Sequence, residues 1–184
     1  MNRSTLEGIV LRVNPYGESK VMLSILFKEV GKKSLSGSKK LGLDMGDSAN
    51  FEVTKSKGKE IITGITALSS PLSIRRSYPS LILLSSICEI CERATKESED
   101  LYDVLMLGKA ALAEASGLKE LFRAYTLTLS GLGVNLGISN PIQVPTKSAL
   151  LNLLDIFEQF IGKQLHSRSN VEALLDDLEK KTES

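Results

Sequence analysis

The chain has 184 residues, of which 42% are hydrophobic, enough to bury a core. Its formal net charge of +1 conceals an asymmetry: residues 1–60 hold eleven Lys or Arg against seven acids, a net of +4, and the remainder is net −3, which hints at a polyanion partner for the first part. No apolar run approaches the roughly 20 residues that cross a bilayer and no basic-then-apolar leader opens the chain, so a membrane span is excluded and a cytoplasmic location is expected.

In chain order, Leu6 to Asn14 is rich in Ile, Val and Leu and stops at the turn Asn14-Pro15-Tyr16-Gly17, which predicts a first strand. Val21 to Phe27 is a second, so continuously apolar that both its faces are expected to be covered or curled within a barrel. Glu29-Val30-Gly31-Lys32 turns into Lys33 to Ser38. Ala49 to Thr54 and Ile61 to Leu68 follow, joined by the polar turn from Lys55 to Lys59. Five short strands with no helix between the first two exclude a parallel α/β arrangement. A closed barrel removes the exposed edges, and the five-stranded oligonucleotide-binding type has this size; an SH3-like barrel fits the pattern nearly as well.

From Ser80 onward the period becomes helical. Tyr78-Pro79 starts a helix over Ser80 to Lys96, Leu101 to Ser116 is stopped by Gly117, and Leu118 to Ser130 is broken by the glycines between Gly131 and Gly137. Thr146 caps a fourth helix to about Ile161, with Leu150, Leu153, Leu154, Phe157 and Phe160 inward, and Asn170 to Leu178 is the last. The fold expected is α+β: a barrel over residues 1–72 and a helical domain over 73–184.

Catalytic signatures are missing. There is no phosphate-cradling GxxxxGKS or GxxxxGKT, no GxGxxG and no HExxH, and His166 is the only histidine. Cys88 and Cys91 are spaced as CxxC, but they recur with Leu81, Leu84 and Ile87 at helical spacing, so they read as core side chains and no metal or other cofactor is expected. The chemistry that remains is binding. A basic groove with aromatic faces holds single-stranded nucleic acid. The cations are Arg12, then Lys32, Lys33, Lys39 and Lys40 around one turn, and Lys55, Lys57 and Lys59 around another. The aromatics are thin: Tyr16, Phe27 and Phe51, the latter two at core positions. Binding led by backbone charge, with little sequence preference and a steep salt dependence, is the expectation.

Four segments carry a resemblance. LEGIVLRVNPYGES continuing into KVMLSILFKEVGK, the run SLILLSSICEICERATKESEDLYDVL, LFRAYTLTLSGLGVN, and IFEQFIGKQLHSRSNVEAL are similar, in this order, to segments of the RecO family of DNA-repair mediators. The resemblance implies an oligonucleotide-binding barrel, a helical domain and no catalytic residues. It implies binding to single- and double-stranded DNA, strand annealing, pairing with RecR, and help to RecA against the single-strand binding protein SSB. By position, Lys32, Lys33, Lys39 and Lys40 match the family's basic turn region. Lys163 and Arg168 match its "GK…SR" segment and Arg123 follows Phe122 in the third-helix motif, which makes Arg123, Lys163 and Arg168 candidates for docking SSB-like or RecR-like partners. The family's cysteine-rich zinc insertion is replaced by the cysteine-free stretch from Val134 to Thr146, so no zinc is expected there. The rival readings are an adaptor of the recombination machinery with little DNA affinity, and an RNA-binding barrel.

Overall fold

The computed structural model describes residues 3–56, 58–95 and 101–180. Five strands come first: β1 (Arg3–Tyr16), β2 (Lys20–Phe27), β3 (Gly31–Ser38), β4 (Ser48–Ser56) and β5 (Lys59–Ser69). They close in the order β1-β2-β3-β5-β4, with β4 returning to β1 and every pairing antiparallel except β3 with β5. This is a barrel of the oligonucleotide-binding type, and helices follow it.

The strands form because alternate residues have one interior to share. Val21, Leu23, Ile25 and Phe27 of β2 meet Val10, Leu35, Phe51, Val53 and Ile62 in a single buried cluster. Phe27 and Phe51 meet edge to face, with ring centres 5.6 Å apart, a geometry worth about 0.5–1.5 kcal/mol beyond burial. In β1 the pairing shifts from Val10↔Ile25 to Arg12↔Ser24, so Leu11 is the extra residue of a bulge. The bulge lets Val10 and Val13 both face inward while Arg12 turns out. On the opposite side of the pleat, Ser24 and the cross-strand partners Ile9 and Leu26 are also buried, so the Ser24–Phe27 end of β2 is covered on both faces, as its apolar run foretold, while Lys20 and Met22 are not buried. The β1–β2 and β2–β3 turns place Gly17 and Gly31 at φ 71° and 69°, where a side chain would strain the backbone.

The first compact unit comprises the chain through Ser70 with Thr95, Leu101 and Tyr102, and the Tyr102 hydroxyl donates to Glu7 at 2.9 Å. The second begins at Pro71 and holds α1 (Leu72–Arg75), α2 (Tyr78–Ala94), α3 (Tyr102–Glu114, from Asp103), α4 (Leu118–Asn135), α5 (Lys147–Ile161) and α6 (Arg168–Lys180). Helix α2 is central and packs on α4, α5 and α6. Its Cys88 and Cys91 are fully buried, and burial pushes the Cys88 thiol up to about 12 against the opposing charge of Lys109, leaving it unreactive at neutral pH. Thr146 caps α5 as expected, accepting from the Ala149 N–H at 3.1 Å.

Two expectations are corrected. The glycines after Ser130 do not break α4, which runs to Asn135; a side chain at Gly131 would crowd Val104 of α3, and one at Gly133 would collide with Ser139, so here glycine serves close packing. Phe160 is 46% exposed, because it lies in the last turn before the Gly162 cap, where the inward stripe runs out.

Candidate nucleic-acid interface

With the odd-numbered residues of β2 pointing inward, the barrel's outer surface over β1, β2 and β3 is built from cross-strand rows. Tyr16, Lys20 and Ser38 form one; Asn14, Met22 and Ser36 the next; Arg12, Ser24 and Ser34 the third, in which Ser24 is buried and Arg12 and Ser34 are exposed. Arg12 is steadied along its strand by a 3.0 Å bond from its Nε to the Asn14 side chain. Past Ser38 the chain makes a single helical turn, Lys39–Leu41, capped by the Ser38 hydroxyl, which accepts from the Lys40 N–H. The Lys39 N–H donates to the Ser19 carbonyl at 2.9 Å, fastening this turn to the β1–β2 hairpin. Lys20, Lys39 and Lys40 are therefore gathered at one end of the face, all exposed, beside a Tyr16 that is 63% exposed. This supplies what a single strand needs: cations for phosphates, a ring for a base and hydroxyls for hydrogen bonds.

Clustering of lysines in sequence does not single out Lys20. The signal that could have found it is its place just after the Gly17 turn, one residue before the inward Val21, which puts it on the outer face opposite Ser38.

The other sequence candidates lie elsewhere. Proximity in sequence sets Lys32 and Lys33 around one turn with Lys39 and Lys40, but the eight-residue β3 separates the pairs. At about 3.3 Å per residue that is roughly 20 Å. Lys32 is opposite Leu26 on the outer side. Lys33 is opposite the inward Ile25, and Lys55 is in line with the inward Phe51 and Val53, so both belong to the open end of the barrel. There Lys33 pairs with Glu60 at 2.9 Å, and Lys59 is exposed at the start of β5. Lys57 lies outside the described residues. Acids also meet Arg3, through Glu52, and Lys28, through Glu7 at 3.8 Å. Between β3 and β5 a cavity of about 650 Å³ is lined by Val30, Lys32, Lys33, Ser34, Leu35 and Glu60.

Of the docking candidates in the helical unit, Arg123 is exposed on α4 and Lys163 is exposed just past Gly162. Arg168 is differently placed. Its guanidinium donates to Glu172 at 2.8 Å and to Asp155 and Glu158 at 2.6 Å each, which ties the start of α6 to α5 and raises its pKa above the ordinary arginine value. Glu89 of α2 also secures α6, accepting from the N–H groups of His166 and Ser167 and from the Ser167 hydroxyl.

Among the described residues, no group of three or more His, Cys, Asp or Glu is placed to hold a metal ion, and no helix is long and apolar enough to cross a membrane. Compared with known proteins, the chain matches no family model and no curated sequence.

Proposed function

We propose that the outer β1–β2–β3 face binds single-stranded DNA, and that the chain is a non-catalytic mediator of DNA repair and recombination, resembling RecO, in the bacterial cytoplasm. The observation that carries the reading is the convergence of Tyr16, Lys20, Lys39 and Lys40 at one end of that face, held by the Lys39–Ser19 bond. In barrels of this type the face of strands 2 and 3, with the adjoining loops, is where oligonucleotides bind. In this role the face would hold the sugar-phosphate backbone by charge, and exposed Arg123 and Lys163 would dock RecR-like or SSB-like proteins.

Fluorescence-anisotropy titration of a labelled oligo-dT across a salt series tests the reading. Binding that weakens steeply as salt rises is expected. An absence of binding at low salt overturns it. A matched RNA oligonucleotide bound as tightly would move the assignment to nucleic acids in general.

One observation favours the adaptor reading instead. Lys33 is neutralised by Glu60, Arg3 by Glu52, and the exposed aromatic surface of the face is Tyr16 alone among its cross-strand rows. A partner bound through the helical unit, with no DNA bound by the barrel, would establish that alternative.

A further inference from the structure

Helix α3 is apolar on every side. Between Asp103 and Glu114 its only charge is Lys109, and that side chain is buried. A helix that is apolar all round is ordinarily covered all round. One side of α3 is open, however: Leu107, at 71%, is the most exposed large hydrophobic side chain among the described residues, and Ala110, Ala111 and Ala113 are exposed around it.

The open side continues onto α4. Only residues 115–117 join the two helices, and a side chain at Gly108 would collide with Thr128 as one at Gly131 would crowd Val104. The pair is therefore a close antiparallel hairpin, with Leu107 and Leu127 at nearly the same height. Leu127 and Val134 are exposed and share one stripe of α4 with Gly131, and no residue of that helix beyond Arg123 is charged. Contiguous apolar surface of this kind marks a place where another chain binds.

We propose that this face joins two copies of the chain, hairpin against hairpin, as a four-helix bundle. The charges at its ends select a second copy and set its direction. At the 115–117 end α3 carries Glu114 outward and α4 carries Lys119 and Arg123, while Glu120 is turned back onto the N–H and hydroxyl of Ser116 at 2.8 Å each. A two-fold axis parallel to the hairpin lays α3 of each copy over α4 of the other. Leu107 of each copy then meets Leu127 of the other, and Glu114 meets Lys119 and Arg123, twice over. The two-fold across the hairpin instead sets Asp103 of each copy against Glu114 of the other, which like charge disfavours. A partner of one charge sign would match only half of this end. Arg123 borders the face, so a second copy and a protein docked through Arg123 compete for one place. No residue of the face proposed for DNA is used.

The test uses the full-length chain alone. Analytical ultracentrifugation is expected to show a reversible monomer–dimer equilibrium below about 100 µM. Leu107→Glu should weaken it by more than about tenfold and leave the circular dichroism of the monomer unchanged, because the residue is exposed. Glu114→Arg or Arg123→Glu should each weaken it several-fold, and the two together should restore it. Direction is read by copper-catalysed air oxidation. Chains with Leu107→Cys mixed with chains with Leu127→Cys should cross-link and neither should do so alone, the native Cys88 and Cys91 being fully buried. A chain that is monomeric at about 1 mM would overturn the proposal and leave the face to a helix of another protein. So would a dimer indifferent to Leu107→Glu, or one cross-linked by either cysteine variant alone.

Discussion

The N–H of Lys39 donates to the carbonyl of Ser19 at 2.9 Å, and through this bond the turn after β3 is joined to the hairpin that carries Tyr16 and Lys20. Cations that are separated by a whole strand in sequence thereby share one surface, whereas Lys32 and Lys33, nearer in sequence to Lys39, are at the strand's other end.

The two ends should respond differently to charge removal. Lys39→Ala with Lys40→Ala is expected to weaken single-stranded DNA binding by about tenfold, or 1.4 kcal/mol. It should also flatten the dependence of log K on log salt by about 0.7 for each phosphate that the two lysines neutralise. Lys33→Ala with Lys55→Ala should change affinity by less than about twofold, since Lys33 is already paired with Glu60. Anisotropy titrations of both variants check this, and equal weakening by the two would mean that charge acts diffusely over the barrel.

Tyr16 should act through its ring. At 63% exposure it contributes little to the core, so Tyr16→Ala should leave the melting temperature unchanged. DNA affinity should fall by about 1–3 kcal/mol, the range for one stacked base, and Tyr16→Phe should restore it. A Tyr16→Phe variant as weak as Tyr16→Ala would assign the interaction to the hydroxyl and not to stacking.

The barrel was legible because its signals are local. The run Val21–Phe27, the turn at Gly17 and the alternation around Phe51 each depend on neighbours a few residues apart, and the interior roles expected for Phe27 and Phe51 follow from the same alternation. What was not legible depends on register. Whether Lys20 faces outward beside Ser38, and whether Lys33 points to the mouth, is decided by cross-strand partners and by the Leu11 bulge, none of which is written in spacing. The glycines of α4 misled for a related reason: glycine lowers helix propensity locally, but Gly131 is set by Val104 of another helix. Helix α1, at four residues, is too short to show a period.

Inside the helical unit, Ser86 and Tyr125 share a buried hydrogen bond of 2.7 Å. Burial pushes the Tyr125 phenol well above its ordinary pKa despite the hydrogen bond it shares with Ser86, so it stays protonated. Ser86→Ala and Tyr125→Phe should each destabilise by about 1–3 kcal/mol, because each leaves a buried hydroxyl or its partner unmatched. The double variant should lose less than the sum of the two. Urea unfolding of the three variants measures the coupling, and strict additivity would show that the bond contributes nothing.

The last prediction concerns acid. Glu89 closes the start of α6: it accepts from the His166 N–H at 2.8 Å, the Ser167 N–H at 2.9 Å and the Ser167 hydroxyl at 2.7 Å, with Arg93 at 3.1 Å. Burial acts to raise its pKa, but the Ser167 hydroxyl, the two N–H groups and the Arg93 charge together outweigh it and hold the carboxyl below its ordinary value. A depressed carboxylate stabilises the fold above the unfolded-state pKa, about 4.3, and that contribution is lost as pH falls through the lower folded-state value. At pH 7, Glu89→Gln should therefore lose about 1.5–3 kcal/mol, the range for hydrogen bonds to a charged group. As pH falls through that lower value wild type loses the same ionised partner, so the two stability curves should converge. A gap that stayed constant through that range would mean that the side chain's shape, and not its charge, anchors α6.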